Sequence, residues 1–175
     1  GVVREKELGS ITNLYVTPVN KLEFLWGKQL PYVILGVINF ALMTVVATLL
    51  FGVPIKGSLI ALSIGAVLFV ISTTGLGLLV SSFTKTQIAA LFGTTIATMI
   101  PSVMFSGMTQ PVSSLEGVPV LLSKIVPTSH FMTISVGTFT KALGFGDLWM
   151  QFVALALFFP IITGLAMMLL SKQER

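Results

Sequence analysis

Few side chains in this chain could carry chemistry, and their spacing decides against most of it. The 175 residues hold ten Lys or Arg, six Asp or Glu, one His and no Cys. Without Cys there is no disulfide framework, thiolate metal site or thiol nucleophile. His130, the sole imidazole, stands among Ser and Thr in "PTSHFMT" and cannot assemble a metal centre alone. It reads as an interfacial polar residue, and no metal is expected. "FSG" at 105–107 presents Ser106 beside Gly107, but Met104 stands where a G-x-S-G protease motif needs Gly. No second residue is placed to activate that hydroxyl. "GKQ" at 27–29 fails as a phosphate loop, with Leu22 in the place of the first Gly and Gln29 in that of the Ser or Thr. No catalytic residue is expected, and ATP chemistry has to come from outside this chain.

What remains is a concentration of charge. "REKELGSITNLYVTPVNKLEFLWGK", residues 4–28, holds seven of the sixteen charged residues. Within it Leu8, Ile11, Leu14, Tyr15, Val19, Leu22, Leu25 and Trp26 recur every three or four positions, with charges and amides between them. That is an amphipathic helical pattern, too polar to span a membrane and suited to its surface. Pro18 restrains Thr17 and removes a backbone donor, so one helix should end there. Asn20 is placed as an N-cap with Glu23 three residues on, and Val19 and Phe24 as a hydrophobic staple. A second helix should start at this turn and run without a linker into the apolar stretch beyond Lys28. Pro31 would leave the Gly27 carbonyl without its helical partner, and Gly27 is the one soft point.

The strip serves a chain of another kind. The composition is 54% hydrophobic and 9% charged, with a mean hydropathy of +0.99, whereas a soluble domain carries about 25% charge. There is too little polar surface to wrap a core, so lipid must be part of the solvent. The net charge of +4 is small and dispersed; nucleic-acid binding would need a clustered basic face. About thirty mixed residues precede the first apolar run, which is not the order of a secretory signal. Beginning at Gly1, the chain reads as a piece of something longer.

A spanning helix needs about 20 mostly apolar residues, and four stretches qualify, at about 31–51, 58–80, 86–107 and 148–170. The expected organisation is a cytoplasmic amphipathic coupling segment over 1–30 and a transmembrane domain over 31–175. Between the third and fourth spans lies a piece at about 109–146 whose longest uncharged run, 125–140, is too short and too rich in Ser and Thr to cross. It should form two short helices, external or re-entrant. Four spans put both ends on one side. With cytoplasmic ends that face carries Arg4, Lys6, Lys21, Lys28, Lys85, Lys172 and Arg175, against Lys56, Lys124 and Lys141 opposite, as the positive-inside bias prefers.

Small residues recur at helical spacing along the spans: Ala61 and Gly65; Thr73, Gly77 and Ser81; Ala89, Gly93 and Ala97. Such faces let helices approach in lipid, either within one bundle or at an interface, for which Ala89, Gly93 and Ala97 are the candidates. Asn39, Thr44, Thr48, Ser72, Thr73 and Thr74 are intramembrane polar groups that most simply bond their own helix. No Asp, Glu, Lys or Arg lies within a span, which removes the usual machinery of a proton relay or ion-coupled carrier.

Beyond these physical readings, "REKELGSITNLYVTPVNKLEFLWGKQLPY" resembles the intracellular coupling segment of ABC-2 type export permeases. The match rests on Glu5, Glu7, Gly9, Pro18, Val19, Glu23, Gly27 and Lys28. "FSGMTQPVSSLEGVPVLLSKIVPTSHF" is similar to that family's external element, on Phe105, Ser106, Gly107, Pro111, Pro127, Thr128 and Phe131. The resemblance covers nearly the whole chain and implies an all-α integral membrane fold, the C-terminal part of a six-helix permease. It implies that an ATP-binding-cassette ATPase, fused or separate, carries the ATP and Mg and docks on the first strip. It implies a second permease half, identical or not, in a bacterial inner membrane. The other reading is a membrane anchor that tethers an ATPase to the ribosome or another assembly, with no solute transport.

Overall fold

The computed structural model describes residues 3–4, 20–106 and 117–172. Apart from the first two, they form six α-helices, and among the described residues there is no strand. Four helices are long and apolar enough to cross a membrane. They are α1 (Lys21–Val45), α2 (Leu59–Phe83), α3 (Gln87–Phe105) and α6 (Phe145–Lys172), with α4 (Val118–Ile125) and α5 (Pro127–Thr140) as the short pair before the last. The expected surface helix ahead of Pro18, and the Val19 half of the staple, lie outside the described residues.

Each start has a local cause. Asn20 is extended (φ −68°, ψ 145°), and its N–H donates to Glu23 Oε2 at 3.1 Å, so the acidic residue satisfies the chain at the helix entrance. From there α1 runs unbroken through Pro31. Ser58 and Thr86 cap α2 and α3 by accepting from the Ala61 and Ala89 N–H groups. Val126 separates α4 from α5, where Pro127 takes the first helical position and has no donor to lose. The far end of α1 does what the sequence did not announce. Residues Val46–Leu50 form a π-turn, the Phe51 N–H returning to the Val46 carbonyl at 3.2 Å. Thr48 Oγ1 donates to the Thr44 and Val45 carbonyls there. Gly52, left-handed at φ +63°, then ends the helix.

The axis of the bundle is α2, against which α1, α3, α5 and α6 all pack. With no hydrophobic drive between helices in lipid, close approach decides the packing, and the small residues of α2 allow it. A Cβ at Gly65 would stand 3.0 Å from Ile134 and 3.4 Å from Phe152, and one at Gly75 3.3 Å from Ile162. Ala61, Ile134, Leu148, Phe152 and Leu155 form one buried cluster. A smaller one, Leu25, Leu78 and Ala166, ties the start of α1 to the ends of α2 and α6. Antiparallel packing therefore puts the α1 start, the α2–α3 junction and the α6 end at one pole. The short pair α4 and α5 sits at the other, where the Gly57 N–H donates to the Thr138 carbonyl at 2.8 Å. From Asn20 onward the described cations sort accordingly: Lys21, Lys28, Lys85 and Lys172 at the first pole, Lys56, Lys124 and Lys141 at the second.

Candidate functional site

Glu5, Glu7, Gly9, Pro18 and Val19 lie outside the described residues, so the strip expected to couple is seen from Asn20 onward. Its first turns have two faces. Outward stand Glu23, holding the entrance, and Gly27, where an added Cβ would meet nothing within 4 Å. Lys28 Nζ lies 5.6 Å from the centre of the Phe24 ring, within cation–π range. Inward, Leu25 is fully covered by Leu78 and Ala166. Trp26 meets Phe159 edge-to-face, centroids 5.0 Å apart. One helical turn beyond Leu25 comes Gln29, 3% exposed. Its amide donates to the Ile71 carbonyl at 2.8 Å and to Thr74 Oγ1 at 3.0 Å. Within nine residues α1 is thus held to α2 by hydrogen bonds and to α6 by a ring contact.

Gln29 is the residue that sequence reasoning misses. By type it marks the polar boundary of the first span, because an amide before "LPYVILG" looks like an interface residue. In the structure it lies one turn after Leu25 on the same buried face, while Leu22 and Trp26 of the same apolar pattern are exposed.

At the opposite pole the residues of the external element bind α5 into the bundle, apart from Gly107 and Pro111, which lie outside the described residues. The Phe105 carbonyl accepts from Ser129 Oγ at 2.8 Å, and Thr128 shares a 2.7 Å hydrogen bond with Ser102. Pro127 is buried. Phe131 stacks on Phe69 (centroids 4.6 Å, 11°) and meets the edge of Phe40 at 6.0 Å. Ser106 is buried to 2%, and its hydroxyl finds no partner among the described residues. His130 is a structural bridge, with Nδ1 2.5 Å from Gln151 Oε1 and Nε2 2.8 Å from the Lys124 carbonyl. No group of His, Cys, Asp or Glu among the described residues could hold a metal.

The small-residue faces divide. Ala61 and Gly65 are internal packing surfaces. On α3, Ala89 and Ala97 are exposed, while a Cβ at Gly93 would stand 3.3 Å from Val80 of α2. The intramembrane hydroxyls mostly bond their own helix, as Thr44 to the Phe40 carbonyl and Thr98 to that of Thr94. Ser72 adds a second acceptor, the Leu155 carbonyl of α6, at 3.3 Å.

Among the described residues these contacts anchor and pack the helices against one another. Comparison with known proteins gives the family. The family described as ABC-2 family transporter protein matches residues 1–171. "Probable multidrug ABC transporter permease YbhS" of Escherichia coli K12 is 35% identical over 132 residues, covering 75% of this chain and 35% of that protein. "Probable multidrug ABC transporter permease YbhR" of the same organism is 29% identical over 151 residues, 85% of this chain and 40% of its own length. "Inner membrane transport permease YhhJ", also from Escherichia coli K12, is 28% identical over 158 residues, 88% and 41% respectively. The chain therefore spans between about a third and two-fifths of these relatives. No solved structure matches it.

Proposed function

Since the chain belongs to the ABC-2 family of transporter proteins, we propose that it is the C-terminal membrane part of a permease that exports a solute with energy from an ATP-binding-cassette ATPase. The ATPase, fused or separate, supplies the ATP and Mg and docks on the strip 1–30 from the cytoplasm. Glu5, Glu7, Gly9, Pro18 and Val19 face it, and Glu23, Gly27 and Lys28 carry its motion into the bundle. A second permease half completes the path across a bacterial inner membrane, in which both ends of this chain are cytoplasmic. Like the relatives named multidrug permeases, the complete protein handles small organic molecules.

One observation carries this reading. The capped entrance at Asn20, the cluster around Leu25, the Gln29 amide and the first span are one unbroken helix, and a coupling element must be continuous with what it moves. The test is ATP-driven efflux from vesicles holding the complete permease and its ATPase, against a panel of small organic molecules. ATP hydrolysis with no solute moved would favour a tether for the ATPase and sink the export reading.

A further inference from the structure

Helices α1 and α3 both lean on α2, and between them is left a cavity of about 280 Å³. Tyr32 lines it from α1, Thr74, Gly77, Leu78 and Ser81 from α2, and Ala90, Leu91 and Thr94 from α3. Thr94 lies seven residues into α3 and Tyr32 eleven into α1, so the cavity sits roughly 10–16 Å inside the pole that holds Lys21 and Lys85. No ionisable group except the Tyr32 phenol lines it.

Two hydroxyls on this wall differ from their neighbours. Thr95 and Thr98 on the same helix donate to the carbonyl four residues back. Thr74 is engaged twice, accepting from Gln29 and donating to the Val70 carbonyl at 2.7 Å. Thr94 Oγ1 and the Tyr32 hydroxyl have no partner among the described residues. A threonine in lipid normally returns its proton to its own helix. One that does not keeps both a donor and an acceptor available, and the Tyr32 phenol, on a residue 51% exposed, adds a second hydroxyl to the lining. Gly77 keeps the α2 wall low opposite Thr94, since even a Cβ there would be 3.9 Å from Thr94 Cγ2.

We propose that this cavity binds an uncharged, mostly apolar small molecule bearing one or two neutral hydrogen-bonding groups, such as a phenol, amide or secondary arylamine. Thr94 and Tyr32 meet the polar groups, while Leu78, Leu91 and Ala90 take the apolar body. With no ionised side chain on its wall, the site discriminates against phosphates, sugar acids and other charged solutes. The inference rests on the export reading only in making this molecule the cargo; binding itself needs no ATP, so the two fail separately.

The test uses the complete permease with its ATPase in phospholipid nanodiscs, and N-phenyl-1-naphthylamine as the probe, an uncharged fluorophore with one N–H. Saturable fluorescence above that of empty nanodiscs, displaced by diphenylamine, is expected from the wild type without ATP. Two hydrogen bonds removed by Thr94→Val with Tyr32→Phe should weaken binding about tenfold, with melting temperature unchanged. Gly77→Leu, which fills the space, should abolish it. Thr94→Val alone, an isosteric change, keeps the test valid if the leucine variant does not fold. An unchanged affinity in the double variant overturns the proposal. So does phospholipid that co-purifies with the wild type and is lost in Gly77→Leu while the probe never saturates, because the occupant is then a membrane lipid.

Discussion

Replacing Gln29 separates its hydrogen bonds from its bulk. In Gln29→Leu the amide is lost, but neither partner is orphaned. The Ile71 carbonyl lies within α2, and Thr74 keeps its own 2.7 Å bond to the Val70 carbonyl. Interhelical hydrogen bonds in membranes average about 0.6 kcal/mol, so two bonds amount to about 1.2 kcal/mol. Better burial of leucine against Leu78 and Ile162 brings the net loss to about 1 kcal/mol or less. Gln29→Glu has the same size and the opposite hydrogen-bonding character. An ionised carboxylate would face a carbonyl and a hydroxyl oxygen, and insertion scales put a mid-helix charge at about 2.5–3.5 kcal/mol. Together with the lost bonds, about 4 kcal/mol is expected at pH 8. Burial favours the neutral acid, so the folded protein holds this proton more tightly than the unfolded chain. The deficit is full above the raised folded pKa and shrinks as pH falls through it. Reversible unfolding in phospholipid–detergent micelles, followed by Trp26 fluorescence at pH 8 and pH 5, measures both variants. Equal stability of the two at pH 8, or a Glu variant indifferent to pH, would refute the assignment of Gln29 as a donor to α2.

Other positions separate contacts that can yield from contacts that cannot. Gly36→Ala places a Cβ 2.6 Å from Val70 Cγ1, a cost of about 1–3 kcal/mol that Val70→Ala should largely remove in the double variant. Gly57→Ala meets the Leu143 carbonyl at 2.7 Å and the Thr138 backbone at 3.1 Å; with no side chain to move, thermal unfolding should show a larger loss and no single-site rescue. Gly27→Ala touches nothing and should stabilise α1 by up to about 1 kcal/mol in the same assay. Glu5→Ala, Glu7→Ala and Glu23→Ala should lower solute exported per ATP hydrolysed while the protein stays folded, and unchanged ratios in all three would remove the strip from the coupling. Single cysteines at Lys21 and Lys124 should react with an impermeant maleimide from opposite sides of the membrane, as the two poles of the bundle require.

The four spans were legible because crossing hydrocarbon imposes length and forbids charge, and both constraints are visible one residue at a time. The pair α4 and α5 was legible for the converse reason: 125–140 is too short and too rich in hydroxyls to cross. Direction was hidden. In water, an apolar stripe on a polar helix points at the core; in lipid, both sides are apolar. Ile88, Leu91, Phe92 and Ile96 are exposed on α3, whereas Leu62 and Leu155 are fully buried, and nothing in the residue types tells the two groups apart. Gln29 escaped for that reason, as did Phe131, whose place between Phe69 and Phe40 joins residues far apart in the chain. The π-turn escaped because Thr44 and Thr48 would return their protons to the backbone in an ordinary helix as well.

That turn has a mechanical consequence. It ends the helix at the Phe51–Gly52 bend, and Leu49, Leu50 and Phe51 emerge there 82%, 76% and 73% exposed. Three greasy side chains splayed at one tip act as a cleat that fixes its depth. A rod cleated at its far tip and nudged near Asn20 swings about that tip instead of sliding like a piston. Spin labels in the complete transporter would then record large displacements at Glu23 and small ones at Leu49.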